Sequence, residues 1–180
     1  DPPDLDGAVL MDWFREGHRR LVDTLTTASP DVRCWHFLPA PTPLAFWARR
    51  QAHETAVHRC DAESATGGVR SDIGAEFSVD GIDELLRGMH GRATSRVRSE
   101  EPRVLRVRAT DVPDAVWTVR LSPEPPVTER GDAGDAVEAH GEITGPADRL
   151  YLALWNRQPF PEVSGDASLA ELWRRTSGVG

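Results

Sequence analysis

"FWARRQAHETAVHRCDAE", residues 46–63, decides how this chain is read. It packs two histidines with a glutamate between them, two further carboxylates and a cysteine into one polar stretch. The segment H-E-T-A-V-H is one residue longer than the zinc-protease signature H-E-x-x-H. Upstream, Thr42-Pro43 supplies an N-cap followed by proline at the first helical position, and "TGG" at 66–68 supplies a stop, so a helix is expected from residue 43 to about Ala65. At about 100° per residue, His53 and His58 project ~140° apart and cannot grip one ion from one face. Glu54 and His58 lie only ~40° apart, and the same face collects Trp47, Arg50 and Asp61. The remaining surface carries Ala45, Phe46, Ala48, Ala52, Ala56, Val57 and Cys60, so packing on more than one side is expected.

Outward from this helix, the N-terminal part reads as helical. Leu10, Phe14, Leu21 and Leu25 recur at helical spacing over residues 5–28, until "ASPD" ends the pattern. His18 falls in that stripe, where a hydrogen-bonded core histidine is the ordinary reading. Past a loop through "GAEFSVDG", Asp80 or Asp83 opens a further helix carrying Ile82, Leu85, Leu86 and Met89, weakened at its end by Gly88 and Gly91. From residue 103 the period changes from 3.6 to 2. "VLRVRA", "VWTVRL" and "VEAHGEI" alternate as three half-buried strands with one wet face each. "SPEPPVTERGDAGD" between the second and third reads as a mobile loop. "GPADRLYLALWNR" and "GDASLAELWRR" close the chain as amphipathic helices, the last capped by Asp166 or Ser168. The expectation is an α+β chain: a helical part over 1–99, then a three-stranded antiparallel sheet with two helices over 100–180.

Composition removes several functions. The 180 residues carry 29 acidic and 21 basic side chains, a net charge of −8, and no basic face. Nucleic acid and anionic membrane are therefore poor partners. Every basic residue is arginine; without lysine there is neither a Walker lysine nor a Schiff-base amine. Two cysteines, Cys34 and Cys60, with no secretory segment, read as reduced cytoplasmic thiols. No apolar run reaches the ~18–20 residues of a membrane span. The start "DPPDLDGAVL" is no signal peptide and has no initiator Met, so the chain is expected to be a piece of a longer one.

A Glu-His-Asp row on a packed helix needs partners, because unpaired buried charge is costly. A metal, a bound ligand, or arginines such as Arg50 would all serve; the plainer reading is an internal salt-bridge and hydrogen-bond network, or a solvated helix face. A catalytic zinc site needs three protein ligands with an open position, and one helix supplies two. A Cys60–His53 nucleophile pair lacks a third orienting group. His36, His90 and His140 read as loop, helix-end and exposed-strand residues without chemistry.

"FWARRQAHETAVHRCDAE", then "VDGIDELL", "VWTVRLSPEPP", "GPADRLYLALWNR" and "VSGDASLAELW", in that order, resemble the actinobacterial mycothiol-dependent maleylpyruvate isomerase family over essentially the whole chain. The all-arginine composition suits a GC-rich source of that kind. The resemblance implies a DinB-like helical bundle followed by a small α/β domain. It further implies a divalent metal, usually zinc, held by a Glu and a His four apart on one helix, which map onto Glu54 and His58. The family takes a further histidine from an earlier helix, within an N-terminal segment that has no counterpart here; His18 is a weak substitute. Asp61 is a candidate to orient a ligand or water, and Arg50 to pair with a substrate carboxylate or with Glu54. "LWNR" and "SGD" are landmarks of the family, with Arg157 and Asp166 expected to tie the last two helices together. The C-terminal part is expected to wall the cleft or to form a homo-oligomer contact. The implied partners are the thiol mycothiol and a small electrophilic substrate, in isomerisation or thiol transfer. The competing expectation is a non-catalytic metal- or ligand-binding, regulatory protein.

Overall fold

The computed structural model describes residues 7–131 and 137–179. Helix α1 (Gly7–Thr27) and helix α2 (Pro43–Ala65) are followed by α3 (Ala75–Asp83), which runs on into a π-helical stretch, Glu84–Met89. Strands β1 (Arg103–Ala109), β2 (Val116–Leu121), β3 (Val127–Arg130) and β4 (Gly141–Gly145) come next. Helix α4 (Ala147–Leu154), strand β5 (Glu162–Gly165) and helix α5 (Ser168–Thr176) complete the described chain. Contacts divide it into two compact units, Asp1–Ala52 and His53–Gly180.

In the first unit α1 follows the expected helix, whose residues 5 and 6 lie outside the described ones. Its apolar stripe is not a core: α1 has no buried residue, Phe14 is 59 % exposed, and His18 is exposed rather than a core histidine. A 3.6-residue period builds an apolar face; it does not supply the surface that covers it. The loop before α2 gathers aromatic rings. Phe37 and Trp47 both stand edge-on to Phe46, each with centroids 4.9 Å away, and the Trp47 indole donates to the Trp35 carbonyl at 2.9 Å. Thr42 caps α2 as expected, accepting the Ala45 amide on Oγ1 at 3.0 Å.

The stop of α2 is also where the sequence put it. Gly67 adopts φ +67°, its amide bonds the Ser64 carbonyl, and the Gly68 amide reaches back to Glu63. That pair of bonds around a left-handed residue is a Schellman motif, which glycine permits without a Cβ penalty. The helix buries one stripe, Phe46, Arg50, His53, Val57 and Cys60. Ala45, Ala48 and Ala52 are exposed, so the expectation of packing on several sides fails there.

In the second unit α3 begins at Ala75, ahead of Asp80 and Asp83, because Phe77 and Val79 already belong to its turn pattern. Gly81 brings α3 close to α4: a Cβ there would overlap the Tyr151 ring. The sheet has five strands in the order β3-β2-β1-β4-β5, against the three antiparallel strands expected. Strand β3 lies inside the stretch read as a mobile loop, whose residues 132–135 fall outside the described ones. It pairs antiparallel with β2, from Trp117↔Arg130 to Arg120↔Val127. Strand β5 pairs antiparallel with β4. Both have four residues, too few for alternation to show in a sequence. Strand β4 starts at Gly141, later than the expected "VEAHGEI", and runs parallel to β1. A tight hairpin forces antiparallel neighbours, as for β1 and β2, whereas the longer path from β3 to β4 does not. Nor does β2 keep a wet face, since Thr118 is as buried as Trp117 and Val119. The core of this unit joins Leu105, Val107, Trp117 and Ile143 of the sheet to Leu150, Leu154 and Trp173 of the helices. No helix of the described residues is long and apolar enough to cross a membrane.

Candidate metal centre on helix α2

Three side chains of α2 meet on one face. Glu54 Oε2 lies 3.1 Å from His58 Nε2, and His58 Nδ1 lies 3.0 Å from Asp61 Oδ2. Positions 54, 58 and 61 fall within a ~60° arc of a helix, so the contacts follow from the fold of α2 alone. The row is at the surface, His58 being 64 % exposed, as a solvated helix face would have it and not as a buried row would. Arg50, in contrast, is 2 % exposed, so it is not offered to a substrate carboxylate, and its expected role there is withdrawn.

The row continues to a residue that the sequence did not connect with it. Arg157, just beyond α4, donates from Nε to Asp61 Oδ1 at 2.9 Å and from Nη2 to Oδ2 at 3.0 Å. Its Nη1 donates to the Trp155 carbonyl at 2.8 Å. The Arg157 guanidinium, with the His58 ring second, holds the Asp61 carboxyl below the usual carboxylate range. The same fork raises Arg157 above the ordinary arginine value. Arg157 was expected to tie the last two helices to each other through Asp166. Instead Asp166 lies 3.6 Å from Arg103 and caps the last helix through the Ser168 amide at 3.0 Å. Asn156 joins the ends of those helices, its Nδ2 donating to Ser177 Oγ at 2.9 Å.

His53, on the buried stripe, belongs to a different network. Its Nε2 is 2.8 Å from Asp80 Oδ2 and its Nδ1 is 3.2 Å from the Tyr151 hydroxyl. Both ring nitrogens are thus engaged away from Cys60, which removes the Cys–His pair. Cys60 is 1 % exposed, and burial pushes its thiol above the ordinary value, as befits an inert thiol. The remaining histidines divide by surroundings. His36 Nδ1 donates to the Leu38 carbonyl, while His140, ahead of β4 rather than in it, accepts the Val104 amide on Nδ1. His90 is buried against Trp173, which the helix-end reading did not foresee.

The pair Glu54–His58 fits two ligands of one ion. Donors ~2.0–2.2 Å from a tetrahedral metal stand about 3.3–3.6 Å apart, so the observed 3.1 Å need open by only a few tenths. His58 thus faces a carboxylate at each ring nitrogen, Glu54 at Nε2 and Asp61 at Nδ1. Among the described residues no group of three His, Cys, Asp or Glu side chains that could hold a metal ion is assembled.

A helical N-terminal part that fits a DinB-like domain, followed by an α+β part on a five-stranded mixed sheet, defines the class of protein. The family model described as mycothiol maleylpyruvate isomerase N-terminal domain matches residues 1–63, and that described as MDMPI C-terminal domain matches residues 76–172. The chain belongs to the mycothiol maleylpyruvate isomerase family. Its two domains tie it to mycothiol-related, maleylpyruvate isomerase-like function. No curated protein and no solved structure matches it.

Proposed function

We propose that the chain is a divalent-metal-dependent, mycothiol-dependent isomerase or thiol transferase acting on a small electrophilic substrate. Glu54 and His58 hold the metal, zinc by its suitability to a nitrogen and oxygen donor set. The observation that carries this reading is the 3.1 Å approach of Glu54 Oε2 to His58 Nε2 on an exposed helical face, with His58 Nδ1 engaged by Asp61. Bound there, a divalent ion supplies Lewis acidity, which favours the thiolate form of a thiol at neutral pH.

The chain's own residues contribute binding and orientation. The Arg157 fork to Asp61 and its bond to the Trp155 carbonyl use three of five guanidinium donors. Two donors, one on Nη1 and one on Nη2, are left over from these bonds and are available in kind to a substrate carboxylate. An acidic substrate such as an oxo-dicarboxylate suits those donors, and the overall negative charge makes such a local cation the more selective. Both cysteines are free, which suits a reducing, cytoplasmic setting.

Elemental analysis of the intact protein tests the reading. About one divalent ion per chain is expected, lost in Glu54→Ala and in His58→Ala. A wild-type protein that takes up no metal would sink it. Metal uptake without consumption of thiol in the presence of electrophiles would leave a binding protein instead of an enzyme.

A further inference from the structure

We propose that Trp35, Phe37 and Trp47 form a stacking platform for the sugar half of a glycosidic thiol, the pseudodisaccharide of mycothiol. The inference rests on the mycothiol reading given above, requires no metal, and is tested without any reaction.

The three rings meet where the loop after α1 runs into α2. The centroids of Trp35 and Phe37 are 5.4 Å apart, and Trp47 stands 6.4 Å from each of them. Buried Phe46 anchors the group, with its centroid 4.9 Å from those of both Phe37 and Trp47. The backbone is pinned as well, since the Trp47 indole N–H donates to the Trp35 carbonyl at 2.9 Å. Trp35 nevertheless remains 71 % exposed. A lone apolar residue at the surface needs no explanation. A fixed group of three aromatic rings, one of them open to water, is a surface built to stack.

The ligand that suits such a surface is a flat ring, apolar on one face and hydrated at its edges. A pyranose or cyclitol ring turns a face of C–H groups to the negative face of an indole, while its hydroxyls stay in water. A nucleobase also stacks on aromatic side chains, but the chain's net charge of −8 repels the phosphates that accompany it. Mycothiol has the required form: its cysteine is amide-linked to a glucosamine that is joined to inositol, two saturated polyhydroxy rings beside one thiol. Stacking on those rings separates mycothiol from thiols that lack them, so the platform acts as a specificity determinant and not in the chemistry.

The test uses the full chain and three probes: mycothiol, its glucosaminyl-inositol part without the cysteine, and N-acetylcysteine, the thiol without the sugars. Calorimetry gives affinities, and saturation-transfer NMR shows which ligand protons approach aromatic rings. The wild type is expected to bind both sugar-bearing probes, with saturation strongest on ring C–H protons, and to bind N-acetylcysteine about tenfold more weakly than mycothiol. Trp35→Ala should weaken both sugar-bearing probes about tenfold and leave N-acetylcysteine unchanged, with Trp35→Phe between it and wild type. Near-UV circular dichroism of both variants checks that the fold is kept. Equal pseudodisaccharide affinity in wild type and Trp35→Ala, or no saturation of the ring C–H protons, would overturn the inference. So would a blue shift of tryptophan emission with protein concentration that is missing in Trp35→Phe, which assigns the platform to a second copy of the chain. Pseudodisaccharide binding without consumption of mycothiol in the presence of electrophiles leaves the platform standing and removes the enzymatic reading. Binding of N-acetylcysteine without the pseudodisaccharide does the reverse.

Discussion

The Nδ1 atom of His53 and the hydroxyl of Tyr151 stand 3.2 Å apart in the interior, joining α2 to α4. Asp80, on α3, takes the other ring nitrogen at 2.8 Å. Because the carboxylate only accepts, Nε2 presents a proton to Asp80, while the Tyr151 hydroxyl donates to the His53 carbonyl at 3.3 Å. Phe77 lies against the same imidazole with ring centroids 4.4 Å apart. A satisfied polar network of this kind specifies how three helices meet. It does so one residue before Glu54, so the register that buries His53 also presents Glu54 and His58 outward.

Gly81 is the residue that lets this junction close. A Cβ there would overlap Tyr151 Cε2 and approach His53 Nδ1 to 2.8 Å. Gly81→Ala should cost about 1–3 kcal/mol by overpacking, offset by up to about 1 kcal/mol of helix propensity. Gly17→Ala on α1 meets nothing within 4 Å and should instead stabilise by about 0.5–1 kcal/mol. Urea unfolding of the two variants checks the opposite signs; a stabilised Gly81→Ala would contradict the packing.

The two thiols should separate cleanly by reactivity. Cys34 is exposed, whereas Cys60 is buried with its thiol raised above the ordinary value. A thiol reagent at neutral pH should titrate one equivalent at once and the second only as the chain unfolds. Cys34→Ser should abolish the rapid equivalent. Two rapid equivalents in the native protein would contradict the burial of α2's inner stripe.

What could be read from the sequence was local. The bounds of α2 followed from Thr42, Pro43 and the two glycines after Ala65, because caps act within a turn of the helix end. The row of Glu54, His58 and Asp61 followed from helical spacing. The fork from Arg157 did not, since 96 positions separate the partners and nothing in "LWNR" points to α2. Strands β3 and β5 were missed for a related reason: four residues gain strand character from the neighbour they pair with, not from their own pattern. The His18 stripe erred the other way, as periodicity was taken to imply a cover.

Asn156 is the test of the frame behind Arg157. It occupies the left-handed region at φ +60°, where asparagine is tolerated and alanine is not. Asn156→Gly keeps the conformation and loses the bonds to Ser177 and Arg174, at a cost of about 1 kcal/mol. Asn156→Ala loses both conformation and bonds, and should cost about 1–2 kcal/mol more. Chemical denaturation should give the order wild type, Gly, Ala. Alanine at least as stable as glycine would mean the turn is not held as described.

His90 gives the protein an acid-sensitive element away from the metal centre. Its ring stands edge-on to Trp173 with centroids 4.8 Å apart, and Nδ1 is 3.2 Å from Ser95 Oγ. Burial lowers its pKa from 6.5 to about 4, because the charged form would lose its hydration. Between those values the unfolded chain holds a proton that the folded chain does not, so stability rises with pH across the window. The contribution is fully present above about pH 6.5 and is lost as the pH falls to about 4. At 1.36 kcal/mol per pKa unit it amounts to on the order of 3 kcal/mol. Unfolding free energies of wild type and His90→Phe, followed by tryptophan fluorescence between pH 7 and 4, should diverge in slope. The wild type should lose stability more steeply on acidification, and identical slopes would show that His90 is hydrated in the folded state.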